Sequence, residues 1–229
     1  MQLVIISSPD KFTSEAKKVA NLFDCGLETF HVRKPKFSRR KMKQYLSMIP
    51  DEYHNRVIIH SHHRLAKTFK LKGVHITRFH KKRSLRLKLS LWWLKKTNPD
   101  LCITSSFHSL DKLMKEDFNY HYIFLSPIFE SISKKGHNGS FPTLRLKDVL
   151  KKTRYKVFAL GGVNKETIIE ARDLGFSGMG LLGAVWNNNS LAPLEAYKEI
   201  VAIIKEGKPK DKQLVNVVTP VHLNIKKLS

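Results

Sequence analysis

Cysteine is scarce in this chain: Cys25 and Cys102 are the only two among 229 residues. Neither lies in a CxxC or Cys/His metal spacing, which excludes a disulfide framework and a thiolate metal cluster. With no export signal, the reading is a reduced, cytoplasmic protein. Long apolar runs are also lacking, and none approaches the roughly 20 residues needed to span a bilayer. The opening MQLVIISSPDKF has neither the charged nor the long apolar segment of a signal peptide. No membrane association is expected.

Acidic residues are few. Asp and Glu number 19 against 42 Lys and Arg, a formal charge of +23. Such a field attracts polyanions, phosphorylated metabolites among them. Basic clusters run through RKPKFSRRKMK (Arg33–Lys43) and RFHKKRSLRLK (Arg78–Lys88). Most of these side chains read as a solvated surface. No RNA-recognition, KH, zinc-finger or helix-turn-helix signature accompanies them, so nucleic acid is disfavoured as a partner.

What the chain has in abundance is alternation. Short apolar runs exchange with helical periodicity almost throughout. Strands are predicted at Leu3–Ser7, Thr29–Arg33, Arg56–His60, Gly73–Thr77, Leu101–Ser105, His121–Ser126, Lys156–Leu160 and Gly178–Leu182. Helices are predicted at Ser14–Phe23, Ser38–Met48, Leu65–Phe69, Ser84–Lys95, Leu110–Phe118, Leu144–Lys152, Lys165–Leu174 and Pro193–Lys205. Ser14, Ser38 and Asn164 are candidate N-caps. Eight β–α pairs at this length argue for an α/β fold of the (β/α)8 TIM-barrel type. An open doubly wound sheet is disfavoured, because the first strand ends in Ser7-Ser8-Pro9 and not in a glycine-rich turn. The barrel is assigned to residues 1–207 and a short C-terminal extension to 208–229, which opens on the linker-like KPKDKQ and holds the β-prone run Leu214–Val218.

In a barrel, chemistry collects where strands end. Those positions supply His31 and Arg33; His60, Ser61, His62 and His63; His75 and Thr77; Ser105, Ser106 and His108; and Ser126. A long loop follows with Ser131, Ser133, Lys134, Lys135 and His137. Gly161-Gly162 and Gly183 close the last two strands. Glycines there let backbone N–H groups approach an anion, and a following helix N-terminus adds favourable partial charge. The two turns should form one phosphate cup. The set is basic and hydroxyl-rich and nearly free of carboxylates, which suits an anionic ligand without a chelated hard cation. A zinc site from His60 and His62 with His75 is the weaker reading beside phosphate contact or a polar barrel mouth, so no protein metal site is assigned.

These positions together resemble the thiamine phosphate synthase/thiazole tautomerase family. FHVRKP (Phe30–Pro35) is similar to its Q-L-R-E-K block, VIIHSHHRLA (Val57–Ala66) to I-I-N-D-R-x-D-L-A, and KGVHI (Lys72–Ile76) to G-V-H-L. SSFHS (Ser105–Ser109) is similar to S-x-H-S, LSPIFESISKKG (Leu125–Gly136) to G-P-I-F-x-T-x-T-K, and FALGGVN and MGLLGAV to two phosphate turns. The resemblance implies joining of an aminopyrimidine diphosphate to a thiazole phosphate with loss of pyrophosphate. It assigns catalysis to Arg33, Lys34 and Lys134. Substrate binding falls to His31, His60, Ser61, Ser105, His108, Ser131, Ser133, Gly161, Gly162, Leu182 and Gly183. The family's two Mg2+-holding aspartates correspond to Ser61 and His80, and its tautomerase histidine to Pro127. No cofactor is therefore expected to bind tightly, and Mg2+ is admitted only together with a diphosphate substrate. A thiazole-phosphate isomerase or a non-catalytic phosphate-ligand binder is the alternative. Small phosphorylated pyrimidines and thiazoles are the expected partners, and a homo-oligomer is left open. If the strand-end histidines touch the diphosphate, its affinity should weaken as pH rises through about 6.5.

Overall fold

In a computed structural model, described for residues 1–9, 13–77, 80, 84–129, 141–187 and 190–207, the eight expected strands close into one parallel barrel in sequence order. They are β1 (Gln2–Ile6), β2 (Phe30–Val32), β3 (Val57–Ile59), β4 (Gly73–Ile76), β5 (Cys102–Phe107), β6 (Tyr122–Leu125), β7 (Val157–Leu160) and β8 (Gly178–Leu181). Closure is made by β8 against β1, with Leu3 opposite Met179 and Val4 opposite Gly180. Residues 208–229, and with them the proposed C-terminal extension, lie outside the described part.

The helices on the outside are α1 (Thr13–Asp24), α2 (Arg39–Leu46), α3 (Leu65–Thr68), α4 (Ser84–Thr97), α5 (Leu110–Met114), α6 (Thr143–Lys152), α7 (Ile168–Asp173), α8 (Gly183–Trp186) and α9 (Pro193–Glu206). Ser38 caps α2 as expected, its hydroxyl accepting from Lys41 N–H at 3.3 Å. Asn164 instead caps a turn ahead of α7, its side-chain oxygen accepting from the N–H groups of Glu166 and Thr167 at 2.9 and 3.1 Å. Two elements were not expected: a 3-10 helix at Asp51–Arg56 and the single turn α8. Both are too short to leave a periodic pattern.

Strand residues alternate between two cores. One parity packs against the helices, including Ile5, Phe30, Val32, Val57, Ile59, Val74, Ile103, Ile123, Val157 and Met179. The other fills the barrel: Val4, Ile6, Ile58, Cys102, Tyr122, Phe124 and Phe158. The filling is lopsided. Tyr122 stacks on Phe158 at 4.3 Å between ring centroids, and β8 makes room with glycine. A Cβ on Gly178 would lie 2.6 Å from a Phe158 ring carbon and 2.7 Å from the Gln2 carbonyl oxygen. Gly178→Ala should therefore cost about 1–3 kcal/mol through overpacking, read as a lower urea midpoint; an unchanged midpoint would show that Phe158 has room to move.

Candidate functional site

The C-terminal strand ends gather the expected groups on one face. Ser7 ties β1 to β2: its hydroxyl accepts from Arg33 N–H at 2.8 Å and donates to the Arg33 carbonyl at 3.1 Å. Arg33 itself is exposed, and its charge acts on His60. Ser61 follows His60, half-buried. His108, exposed, donates through Nδ1 to the Ser126 carbonyl oxygen at 2.6 Å, linking the ends of β5 and β6. Gly161-Gly162 and Leu182-Gly183 follow β7 and β8, which are paired neighbours with Leu160 opposite Gly180. Gly161 has φ +90, and a Cβ there would lie 2.9 Å from Pro127, so the turn at this point is reserved for glycine. Ser131, Ser133 and Lys134 lie outside the described residues.

Two of the expected site residues face elsewhere. Lys34 is fully buried and ion-paired with Glu15, also fully buried. Its ammonium donates as well to the Ser8 carbonyl oxygen, and Ser8 N–H donates to Glu15 at 2.6 Å. The ring of Tyr45 lies 5.0 Å from the ammonium. Lys34 is therefore a clamp beneath the mouth and not a group presented to a diphosphate. Burial pushes the Glu15 carboxyl up, against the pull of Lys34. Ser105 has the wrong parity: its hydroxyl donates to the Ile76 carbonyl oxygen at 2.9 Å, toward the helical layer. Its neighbour Ser106 faces inward, 3.0 Å from His75 Nε2.

The histidines converge differently from expectation. His62 leaves the strand with φ +54 and donates through Nε2 to the Phe37 carbonyl oxygen at 2.8 Å, so it does not join His60. The residues that do meet are His31, His60 and His75, inward-facing on or directly after β2, β3 and β4. Their ligand nitrogens all lie within 4.8 Å of one another. His31 Nδ1 is 3.0 Å from His60 Nε2, and His31 Nε2 is hydrogen-bonded to the Tyr122 hydroxyl. His60 stacks on His75 at 4.0 Å. His75 Nδ1 is 2.8 Å from the Thr104 hydroxyl. One self-consistent arrangement has Tyr122 O–H donating to His31 Nε2 and His31 Nδ1–H donating to His60.

Burial sets the charge of this group. Desolvation, with the charge of Lys72 second, lowers His31 to about 3. Desolvation and then the neighbouring His75, His31 and Arg33 hold His60 well below 6.5. His63, whose Nε2 donates to the His75 carbonyl oxygen at 3.1 Å, is lowered to about 4 by desolvation and then by His80. Buried histidines so shifted are neutral and give no reason for diphosphate affinity to fall as pH rises through 6.5. Ser106 was among the strand-end candidates without an assigned role, whereas Glu15, Thr104 and Tyr122 were not singled out from the sequence as parts of the site. Strand parity was a usable signal for Ser106 and Thr104. None existed for Glu15, which lies in the first turns of α1 and not at a strand end.

A family model described as thiamine monophosphate synthase matches residues 3–185. The thiamine phosphate pyrophosphorylase of Bacteroides thetaiotaomicron superposes with a TM-score of 0.69 at 26% identity, covering 90% of this chain and 98% of that one. The Pyrococcus furiosus thiamine phosphate pyrophosphorylase gives 0.69 at 17% identity over 90% and 96% of the two chains. At 12% identity, 3-hexulose-6-phosphate synthase from Salmonella typhimurium gives 0.63 over 91% and 100% and shares the fold alone. No functionally curated protein matches the sequence.

Two outcomes follow from this geometry. Lys34→Met strands a buried carboxylate and should cost about 3–5 kcal/mol in urea unfolding, most of it recovered by adding Glu15→Leu; additive losses would show that the pair is not coupled. The lowered histidines make the unfolded chain bind more protons below 6.5 than the folded one. Their contribution is present above that value and lost as pH falls toward the folded values. His31 alone should cost about 2 kcal/mol between pH 6.5 and 5. Equal urea midpoints at the two pH values would mean that water reaches the ring.

Proposed function

The chain belongs to the thiamine monophosphate synthase family, and we propose that its barrel mouth joins an aminopyrimidine diphosphate to a thiazole phosphate. In this reaction the bond from the pyrimidine methylene carbon to the diphosphate oxygen breaks, and pyrophosphate leaves with the electron pair. The thiazole nitrogen then bonds to that carbon. The protein's task is to hold the partners and to stabilise the departing negative charge. The reading rests on one observation above all: the family match covers the barrel from β1 to α8, with glycine turns following both β7 and β8.

Gly161, Gly162, Leu182 and Gly183 would take the thiazole phosphate through backbone N–H groups, the first N–H groups of a helix having no partner within it. Arg33, exposed directly after β2, would steady the pyrophosphate, together with Lys134 on the strength of the resemblance. Lys34 would act at one remove, by holding Glu15 and Ser8. His60 and Ser61 would line the pyrimidine side, and His108 the end of β5.

The donors present do not suit Mg2+. Ser61 and His80 stand where the family carries aspartates, and none of the described residues directly following the eight strands is acidic. Mg2+ favours oxygen ligands and usually one or two carboxylates, which these positions do not supply. That lack of carboxylates favours a second reading, a thiazole-phosphate binder or isomerase. Pro127 supplies no proton-transfer group where the tautomerase branch carries histidine, which makes the binder the stronger form of it.

Calorimetry with thiazole phosphate, beside an assay with both substrates with and without Mg2+, separates the readings. The expected result is retained thiazole-phosphate binding with turnover well below about 1 per second. Arg33→Ala should lower that turnover while leaving thiazole-phosphate binding in place. Absence of thiazole-phosphate binding would end both readings.

A further inference from the structure

The barrel interior brings together three imidazoles, of which the reading given for the mouth uses only His60. We propose that His31, His60 and His75 bind one late first-row transition-metal ion of the Zn2+ or Co2+ type. The inference rests on the geometry of the three rings and shares only His60 with the reading given above for the mouth.

The geometry is that of three donors on neighbouring strands pointing at one space. Their nitrogens lie within 4.8 Å of one another, and His31 Nδ1 and His60 Nε2 are 3.0 Å apart. Tetrahedral zinc with bonds of about 2.0–2.1 Å sets its nitrogen ligands about 3.3 Å apart. An ion can therefore replace the proton shared by His31 and His60 with small ring movements, and His75 closes the triangle.

Ligating histidines are normally oriented through a hydrogen bond at the other ring nitrogen. Such outer partners are present for His31 and His75. Tyr122 holds His31 Nε2, on the side away from His60. Thr104 and Ser106 flank His75 at 2.8 and 3.0 Å, so either nitrogen can ligate while the other keeps its hydroxyl. Three buried polar rings with such support differ from a single histidine satisfied in a core.

Donor chemistry selects the ion. Three imidazoles with no carboxylate suit Zn2+, Co2+, Ni2+ or Cu2+ and discriminate against Mg2+. The electrostatics are mixed, since Arg33 lies near His60 and Lys72 near His31. A bare divalent ion is opposed by both, so an anionic fourth ligand, hydroxide or a phosphate oxygen, completes the site. It can enter only from the mouth: His60 is 8% exposed, His75 2% and His31 fully buried.

The test uses the full chain stripped with chelator and titrated with Co2+. One equivalent should bind with the intense visible absorption of tetrahedral cobalt, and Zn2+ should displace it, whereas Mg2+ should not. His31→Gln and His75→Gln should each weaken Co2+ binding by at least about tenfold, since loss of an outer partner alone already costs that much. His62→Gln and His108→Gln should leave binding unchanged. Should the buried variants fail to fold, X-ray absorption on the wild-type zinc protein decides the matter by counting imidazole ligands: three support the site and fewer than three overturn it. Absence of saturable one-equivalent Co2+ binding overturns it too, as does binding that survives both buried substitutions.

Discussion

Closing eight parallel strands into a ring leaves each strand residue two directions to face, and this two-way choice governs the rest of the molecule. One set of side chains must pack under helices, and the other must fill a tube of fixed width. In β5 the rule separates neighbours. Ser105 turns outward to the Ile76 carbonyl, while Thr104 and Ser106 turn inward and hold His75. In β2 it sends Phe30 and Val32 to the helical layer and leaves His31 alone at the centre of the barrel. A slip of one residue in β2 or β4 would put an apolar side chain where His31 or His75 stands.

The tube is filled unevenly, and the unevenness makes the site. Phe124, Tyr122 and Phe158 occupy one wall, against a strand reduced to glycine at residues 178 and 180. The opposite wall carries imidazoles. Burial beside that apolar wall holds His31 and His60 neutral, and Phe124 lies 5.2 Å from the His31 ring and 5.8 Å from that of His75. Aromatic packing and histidine chemistry are in this way one arrangement. Thinning the aromatic wall would admit water, and water would return the rings toward ordinary titration.

The barrel was legible because its signal is repeated eight times and each repeat needs only a short apolar run and a helix. The glycine turns after β7 and β8 were legible because glycine at a strand end is a positional signal. Legibility failed where direction or distance mattered. Lys34 sits in a basic stretch beside Arg33 and reads as its equal. Yet Arg33 is exposed, while Lys34 reaches down to Glu15 on α1, a contact 19 positions away that no local pattern announces. His62 was placed beside His60 on the assumption that β3 continues. The strand ends at Ile59, and the positive φ at His62 takes the side chain to Phe37. The contact of His31 with Tyr122 spans 91 positions and exists only because the ring closes.

The burial of Lys34 changes the electrostatic argument for the mouth. Paired with Glu15 inside the protein, it contributes almost no net field at the strand ends, because opposite charges in contact cancel at a distance. The strand-end histidines His31 and His60, held neutral, contribute none either. Of the described residues expected to meet a diphosphate, Arg33 alone then brings a permanent charge. Its isolation is partly offset by the scarcity of acids, since no described carboxylate directly follows a strand to compete for the guanidinium. An Arg without a carboxylate partner keeps its full fork of donors for an incoming phosphate. Any preference of this mouth for anionic ligands would then rest less on a high count of cations, which the overall charge suggests, than on one exposed arginine with no carboxylate beside it among the described strand-end residues.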